Sequence, residues 1–347
     1  MEIKSESRTN PAKINTAVLD IHTVPLRGPA RPFITVCICT HGRPGYLTGC
    51  LEGLRSQTVG LSGFELLVVD SCSPPEDAAE LRRLVAGIPN ARLIRCDRIG
   101  ISRARNAGAQ AASGTYIAYI DDDAVPAPDW VEQIQRAVSE HGRSVALLGG
   151  RTLPDWEAPL PDWWPPSLRG VLSMVEWEGS GEFRTPEVPD RLEPLGANMV
   201  VERAAMLEVG GFEERLGRRG NLLLSDEEVH LAWKFQQRGK SVRYDGRVVV
   251  RHRIQAWRLT PKWLITRLYW QGVSTVATRR LLGTPDAVWR ELPRRIIVRI
   301  LLAPAGLIPK DSTRLLGLRW RLAYAKGFVN MALGPRYRDM LKPVPAE

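Results

Sequence analysis

Short hydrophobic runs alternate with segments of helical periodicity along most of residues 33–255. The runs at 33–39, 64–69 and 116–120 are rich in β-branched, aliphatic and aromatic residues, which is typical of strands buried on both faces of a parallel sheet. After each run, a polar loop leads into a segment whose apolar residues recur every three or four positions. This alternation predicts an α/β fold with a parallel sheet wound in right-handed βαβ units.

Acidic side chains follow two of the predicted strands at the points where the strands end. Asp70 closes the run at 64–69, and the triplet DDD at 121–123 closes the run at 116–120. Parallel strands present their carboxyl ends at one edge of the sheet, where ligands of open α/β folds bind. Three adjacent carboxylates are costly to hold together unless a cation shares them. A solvated acidic turn is the alternative, but the convergence with Asp70 favours a binding site.

Two later segments break the regular alternation. Residues 151–194 are rich in Pro and Trp and lack periodicity, so we expect a long, ordered excursion over the sheet. Beyond residue 255, Arg- and Trp-rich segments predict amphipathic helices. Helices of this kind lie on anionic membrane surfaces, form a cap over a domain, or mediate a homodimer contact, and the sequence leaves these alternatives open. The apolar stretch 296–308 contains Arg299 and Pro304, so it does not predict a membrane span.

Charge is distributed unevenly over the 347 residues. The chain carries a formal net charge of +10, yet residues 251–347 alone sum to +14 and the other 250 residues to −4. This distribution argues against nucleic acid as a partner, since the body of the protein is mildly acidic. All five cysteines lie in the first third of the chain without a C-x-x-C pair, and the first residues lack the apolar core of a secretory signal. We therefore expect reduced thiols and a cytoplasmic protein.

The strand ends belong to a longer series of ordered motifs. They are VCICTHGR at 36–43, VVDS at 68–71, GISRARNAG at 100–108, GTYIAYIDDD at 114–123, GANM at 196–199, GGF at 210–212, EEVHL at 227–231 and a histidine, His252, after a hydrophobic strand. In this order, the motifs resemble those of family-2 glycosyltransferases over roughly residues 33 to 255. The resemblance implies a GT-A fold, in which a Rossmann-like, mostly parallel sheet binds a nucleotide-diphosphate sugar.

The resemblance also implies a division of the chain. Residues 1–31 would form a flexible N-terminal arm. Residues 32–255 would form the GT-A catalytic domain, with a nucleotide-sugar-binding half at 32–125 and an acceptor-binding half at 126–255. Residues 256–347 would form a basic helical C-terminal extension, at which a peripheral membrane contact or a homodimer contact is expected.

Roles for the donor side follow from the resemblance, residue by residue. The residues implied in binding the donor are Thr40, Arg43, Asp70, Arg105, Asp121 and Asp122. Asp70 would accept hydrogen bonds from the nucleobase or ribose, and Arg105 would approach the diphosphate. Asp123 would bind a divalent ion, Mn²⁺ or Mg²⁺, because hard cations suit carboxylate and phosphate oxygens. His252 matches the position of a further metal ligand, although a structural histidine at a strand end remains an alternative.

The acceptor side follows in the same way. Glu228 would be the general base, with Glu227 beside it, where the family usually has Glu-Asp; acidic residues also favour a helix N-terminus for electrostatic reasons alone. Trp163, Trp164 and Asn198 would contact the acceptor, although the tryptophans serve equally well as core anchors of the excursion. The acceptor would be a sugar, a lipid-linked molecule or a small molecule.

The function implied is an inverting, metal-assisted transfer of a sugar from a nucleotide-diphosphate sugar to an acceptor hydroxyl. A non-catalytic module that binds nucleotide sugars or glycans at a membrane surface is the alternative. A binding module does not need a general base, so the presence of Glu228 together with Asp70, Asp121 and Asp123 favours the enzyme.

Overall fold

The computed structural model describes residues 18–22, 33–141, 145–190, 192–220 and 222–342. The strands are β1 (Val18–His22), β2 (Ile34–Thr40), β3 (Glu65–Ser71), β4 (Ala91–Cys96), β5 (Tyr116–Asp121), β6 (Ala124–Pro126), β7 (Val145–Trp156), β8 (Ser180–Glu182), β9 (Asn198–Glu202) and β10 (Ser241–Ile254). The helices are α1 (Pro44–Arg55), α2 (Pro75–Ala86), α3 (Ile101–Ala111), α4 (Trp130–His141), α5 (Arg203–Glu208), α6 (Glu227–Gln236), α7 (Pro261–Leu281), α8 (Pro285–Leu301), α9 (Leu316–Leu333) and α10 (Pro335–Arg338).

The strands of the described residues form one mixed sheet in the order β1-β4-β3-β2-β5-β9-β7-β10-β6, with β8 paired to β10. Strands β4, β3, β2 and β5 are parallel neighbours, as the strand–helix alternation predicts. Strand β9 runs antiparallel between β5 and β7. No crossover helix precedes β9; it follows the long excursion, so the handedness rule for parallel βαβ units does not fix its direction. The predicted α/β fold is confirmed.

Burial on both faces of the sheet explains the continuous hydrophobic runs. Every residue of β2 and of β3 is buried. Successive side chains of β2 enter opposite cores, because side chains alternate along a strand: Val36 and Ile38 join a cluster with α1, α2 and α4, whereas Cys37 and Cys39 join one with α3, α5 and α6. The sheet therefore lies between two helical layers, and its strand ends are held rigidly.

Strand β10 is longer than the sequence predicts. The β-prone runs at 242–244 and 248–250 predict two short strands, but the structure has one strand of 14 residues. Its pairing with β7 shifts between Asp245 and Val249, and this irregularity interrupts the alternating pattern that would mark a single strand in the sequence. The far end of β10 pairs antiparallel with β6, which sets His252 opposite Ala124.

The C-terminal helices pack on the loop before α6 and on the excursion. Helices α7, α8 and α9 share a core with Leu216 and Leu224, which lie in the loop before α6. The excursion packs against α7, around Trp164 and Trp263. Helices α7 and α9 approach each other at backbone distance, since a Cβ atom on Gly327 would lie 1.9 Å from the carbonyl oxygen of Tyr269. One side of the C-terminal extension is therefore a cap over the domain.

The remaining expectations concern the N-terminal arm, the cysteines and the membrane. Residues 18–22 of the predicted flexible arm form strand β1, which pairs antiparallel with β4 at the sheet edge; residues 1–17 and 23–31 of the arm lie outside the described residues. All five cysteines fall within the described ranges and are free thiols. No helix in those ranges combines the length and the apolar character needed to cross a bilayer.

Candidate active site

The carboxyl ends of three parallel strands gather the predicted donor side chains. Register places Thr40 of β2 beside Asp70 of β3, and Cys39, the residue before Thr40, beside Asp121 of β5. Thr40, Asp70 and Asp121, which are 30 to 81 positions apart in the sequence, therefore lie at one edge of the sheet. This edge is where the alternation of strands and helices predicts a ligand site.

Asp122 lies inside the protein and contacts side chains of β2 and of the loop that follows it. Its side chain is fully buried; the hydroxyl of Thr40 donates a 2.6 Å hydrogen bond to its Oδ2, and the guanidinium of Arg43 contacts Oδ1. Burial raises the pKa of Asp122 to about 7, although Arg43 opposes this shift. The resemblance implies donor contacts for Thr40, Arg43 and Asp122, but both carboxylate oxygens of Asp122 are buried against protein partners, which favours a structural role for this residue.

A candidate metal centre lies beside Asp122. Asp121, Asp123 and His252 each place one ligand atom within 4.8 Å of the others, and Nε2 of His252 is 3.3 Å from Oδ1 of Asp123. The ring atom Nδ1 of His252 is buried and has no hydrogen-bond partner among the described residues. Two carboxylates and an imidazole form a donor set that suits Mn²⁺, and the two carboxylates without the imidazole would also suit Mg²⁺. The side chains present therefore fit a divalent cation.

Charge and hydrogen bonds keep Asp123 ionised. Burial works against the charged form, but His252 and Arg43 outweigh it and hold the pKa of Asp123 far below its usual range. Nη1 of Arg43 is 3.0 Å from Oδ2 of Asp123, and Nε2 of Gln255 donates to the same oxygen at 2.9 Å. Gln255 was not predicted, since a glutamine just beyond a strand carries no chemical signature in sequence. The pairing of β6 with β10 is what brings it to this carboxylate.

Arg105 joins the candidate metal centre to the acidic start of α6. The residue is buried, and its Nη1 lies 3.0 Å from Oε1 of Glu227 and 3.1 Å from Oε1 of Glu228. Its Nη2 lies 3.5 Å from Oδ1 of Asp121. Burial alone would lower the pKa of Arg105, but the carboxylates of Glu228, Glu227 and Asp121 raise it, so the guanidinium is a permanent charge.

The two glutamates at the start of α6 differ in environment. Glu227 is buried, and its Oε2 has no partner among the described residues. Burial, followed by repulsion from Glu228, raises the pKa of Glu227 to about 8. The side chain of Glu228 is 15% exposed against 7% for Glu227, and its Oε1 accepts a 3.0 Å hydrogen bond from the backbone N–H of Gly196. Of the pair, Glu228 is the more accessible to an acceptor.

Gly196 is a site residue that the motif contained but whose contact the sequence did not reveal. A Cβ atom at this position would lie 1.9 Å from Nη2 of Arg105 and 2.4 Å from Oε1 of Glu228. A side chain at residue 196 would therefore displace the ends of Arg105 and Glu228 from their present positions. This effect follows from close approach, not from a special backbone angle.

Asp70 lies at the neighbouring strand end, beside a cleft. Both of its carboxylate oxygens have partners: Oδ1 accepts a 2.8 Å hydrogen bond from the backbone N–H of Ser73, and Oδ2 contacts Arg95. A cleft of about 390 Å³ opens between the loops that follow β3 and β4, and it is lined by Cys72, Asp97, Arg98, Ile99, Gly100, Arg103, Glu214, Leu216 and Arg219. Arg95, which neutralises Asp70, was not predicted.

The residues predicted to contact the acceptor are largely buried among other protein side chains. Trp164 is buried against Trp163 and Trp263, with ring centroids 5.4 and 6.2 Å apart, which agrees with the core-anchor alternative. Asn198 is fully buried, accepts from the indole of Trp130 and donates to two backbone carbonyls. Its amide is fully used inside the protein, which does not favour the predicted contact of Asn198 with an acceptor.

Comparison with known proteins identifies relatives over about two thirds of the chain. The family described as "Glycosyl transferase family 2" matches residues 35–168. The chain is 32% identical to a glucosyl-dolichyl phosphate glucuronosyltransferase of Haloferax volcanii over 250 residues, which cover 70% of this chain and 75% of that protein. It is also 32% identical to glycosyltransferase AglE of the same organism over 223 residues, or 64% of this chain and 67% of that protein.

A solved structure extends the comparison to the fold. The mannosyltransferase PcManGT from Pyrobaculum calidifontis, determined in complex with GDP-Man and Mn²⁺, superposes with a TM-score of 0.52 and 18% identity, covering 89% of this chain and 92% of that one. This likeness supports the GT-A fold implied by the motifs. Together with the sequence relatives, it leads to one conclusion: the chain is a glycosyltransferase of family 2.

Proposed function

We propose that this glycosyltransferase is inverting and metal-assisted, and that it moves a sugar from a nucleotide-diphosphate sugar to an acceptor hydroxyl. The observation that carries the proposal is the link made by Arg105. It joins the possible cation ligand Asp121, at 3.5 Å, to the candidate base Glu228, at 3.1 Å. A donor site and a proton acceptor are therefore adjacent and held in a fixed relation.

In this mechanism, Glu228 takes the proton of the acceptor hydroxyl as its oxygen attacks the anomeric carbon. General-base assistance of this kind is typically worth about 10²–10⁴-fold in rate. Attack from the face opposite the leaving nucleoside diphosphate inverts the anomeric configuration. Arg105 and the N–H of Gly196 orient the carboxylate of Glu228. When bound by Asp121, Asp123 and His252, a divalent cation supplies charge neutralisation for the leaving diphosphate.

The proposed donor contacts are Asp70, Thr40, Arg43, Arg105 and Asp121. The ribose and base lie near Asp70, at the mouth of the cleft between the loops that follow β3 and β4. Support for the choice of metal comes from PcManGT, which was determined with Mn²⁺ and GDP-Man. Support for a lipid-linked acceptor comes from the Haloferax volcanii relative, whose name gives glucosyl-dolichyl phosphate.

Release of nucleoside diphosphate tests the transferase against the non-catalytic alternative. We expect the full chain, given Mn²⁺ and the right nucleotide sugar from a panel of UDP- and GDP-sugars, to release UDP or GDP, and chelation to stop this release. A donor is first selected from the panel by its stabilisation of the protein against heat in the presence of Mn²⁺. Binding of a nucleotide sugar without turnover in the presence of any lipid or sugar acceptor would instead favour the binding module.

The outer face of α8 is the proposed membrane contact. Large apolar side chains are exposed here and in the turn that follows, including Ile300 at 66%, Leu301 at 72% and Leu307 at 88%. Exposed arginines at 290 and 294 flank them. An apolar strip with a basic rim fits the interface of a bilayer that contains anionic lipids. The opposite side of α8 packs on α9, so the cap and membrane alternatives apply to different sides of one element.

Charged substitutions in this strip should weaken membrane binding. We expect Leu301→Asp and Leu307→Asp to reduce cosedimentation with vesicles of phosphatidylcholine and phosphatidylglycerol by about tenfold, because each places a charge where apolar surface enters the interface. Point substitutions are preferable to deleting the extension, since deletion would expose Leu216 and Leu224, which share a core with its helices. The matched control is Trp233→Asp, an exposed apolar residue of α6. Equal sedimentation of all variants would exclude this surface.

A further inference from the structure

Three arginines that no predicted motif includes gather between the candidate metal centre and the acidic start of α6. Arg258 lies in the turn after β10, Arg267 lies on α7, and Arg218 lies in the loop before α6. Arg218 follows Gly217, at which a Cβ atom would lie 3.3 Å from Cδ of Glu227, and the charge of Arg218 acts on both of the others. We refer to these three residues as the arginine cluster. Like charges brought together in a folded protein point to an anion that shares them.

Arg258 is the most deeply placed member. It is 2% exposed and lies over the ring of Trp263, with Cζ 5.1 Å from the ring centroid. Its Nη1 donates a 3.3 Å hydrogen bond to Oε1 of Gln255. Its Nε and Nη2 are buried and have no hydrogen-bond partner among the described residues. A buried guanidinium with two unpaired N–H groups is costly, so these groups call for a ligand.

Arg267 also has a buried N–H group that lacks a partner among the described residues. Its Nη1 is buried without a partner in the described part of the chain. Burial, and then repulsion from Arg218, lowers the pKa of Arg267 to about 10; the same two causes lower the pKa of Arg258 to about 9. Asp226, Glu227 and Glu228 offset part of this effect at Arg267. The nearby carboxylates therefore do not neutralise the cluster, and a bound anion would.

Two contacts fix where such an anion lies. Gln255 connects Arg258 to Asp123, donating to its Oδ2 at 2.9 Å, so one end of the cluster adjoins the candidate metal centre. Arg267 lies one helical turn before Gln271 on α7, and Nε2 of Gln271 donates a 2.9 Å hydrogen bond to Oδ1 of Asp226, the residue before α6, so the other end adjoins the acidic start of α6. The anion is thus held close to the point at which the acceptor hydroxyl loses its proton.

Resting on the proposed transferase function, we propose that the arginine cluster binds a phosphate group of the acceptor, and that this acceptor is a sugar-bearing isoprenoid-type lipid phosphate, whose sugar hydroxyl gives its proton to Glu228. The donor diphosphate already has a cation site at Asp121, Asp123 and His252, whereas the cluster reaches the base. Guanidinium groups match phosphate oxygens in geometry and charge. Arg258 and Arg267 belong to the C-terminal extension, which also carries the exposed apolar strip of α8, so a lipid in the bilayer and its phosphate would meet the same part of the chain.

The test compares binding of an acceptor-like and a donor-like probe to the full chain by calorimetry. Farnesyl phosphate is the acceptor probe, farnesol is its control without phosphate, and UDP and GDP with Mn²⁺ are the donor probes. We expect farnesyl phosphate to bind at least tenfold more tightly than farnesol. Arg218→Gln, Arg258→Gln and Arg267→Gln should each weaken farnesyl phosphate by about tenfold or more, because each removes a charged hydrogen-bond donor. The effect on nucleoside diphosphate should be about threefold at most.

Controls make the outcome decisive. Arg82→Gln removes an exposed arginine of α2 and should leave both affinities unchanged. Arg218 is exposed, so its variant tests the proposal even if a variant of buried Arg258 fails to fold. Equal binding of farnesol and farnesyl phosphate would overturn the proposal. So would variants that weaken nucleoside diphosphate as much as farnesyl phosphate, which would assign the cluster to the donor. Release of UDP or GDP from nucleotide sugars by the unaltered protein separately tests the transferase function.

Discussion

Asp123→Asn should reduce sugar transfer by at least about 10³-fold while the protein remains folded. The substitution removes one of two carboxylates from the candidate metal centre, and a neutral amide is a weak ligand for a hard cation. Charge neutralisation of the leaving diphosphate, worth several kcal/mol, is lost with the cation. Single-turnover transfer with saturating Mn²⁺ measures the loss, and thermal unfolding in the presence and absence of Mn²⁺ measures metal binding directly.

Controls for this variant separate metal loss from loss of fold. Asp162→Asn changes an exposed aspartate of the excursion and should transfer sugar at the normal rate. Because the folded pKa of Asp123 lies below its usual range, its ion pairs stabilise the fold above about pH 4, the unfolded pKa, and this stabilisation is lost as the pH falls. Asp123→Asn should therefore be less stable than the parent protein at pH 7 and closer to it at pH 3. Full activity of the variant, or of the parent protein in excess chelator, would exclude a role for metal at this site.

The strand ends of this site could be predicted from the sequence because their position depends on local pattern and topology. Continuous β-prone runs that end at Asp70 and at Asp121 are consistent with parallel strands, and parallel strands place their carboxyl ends together. The register that sets Thr40 beside Asp70 follows from that topology. The same logic could not reveal what each side chain contacts. Asp122 and Asp123 are adjacent in sequence, yet one is a buried anchor and the other faces His252.

Residues that act through tertiary packing left no signal in the sequence. Gln255 directly follows β10, and Asp123 directly precedes β6. The antiparallel pairing of these two strands brings Gln255 to Asp123. In the sequence, Arg258 and Arg267 belong to a basic, amphipathic segment. Their unpaired N–H groups are buried in the structure, where α7 packs against the excursion. Asn198 was expected to meet an acceptor because it lies in a motif. Its partners are an indole and two carbonyls from other elements, which no local pattern specifies.

Glu228→Gln should lower the rate of sugar transfer by about 10²–10⁴-fold and change the affinity for nucleoside diphosphate by about threefold at most. The amide keeps the size of the side chain and its hydrogen bond from Gly196, but it cannot accept the proton of the acceptor hydroxyl. The loss should appear in the chemical step, so single-turnover transfer measures it while calorimetry with UDP or GDP and Mn²⁺ measures the donor site. A variant that transfers sugar at the normal rate would remove Glu228 from the mechanism.

Glu227→Gln is the matched comparison, and it should retain transfer within about tenfold. With a pKa of about 8 in the folded protein, Glu227 is mostly protonated at pH 7, and a glutamine resembles that neutral form. A raised folded pKa means that the contribution of Glu227 to stability is present below about pH 4.5 and is lost as the pH rises through about 8. The variant escapes this loss, so its free energy of unfolding relative to the parent protein should rise by up to a few kcal/mol between pH 5 and pH 8. Denaturant titrations at the two pH values measure this difference. An inactive Glu227→Gln beside an active Glu228→Gln would reverse the assignment of the base, because the buried carboxylate and not its more exposed neighbour would then be the one that takes the proton.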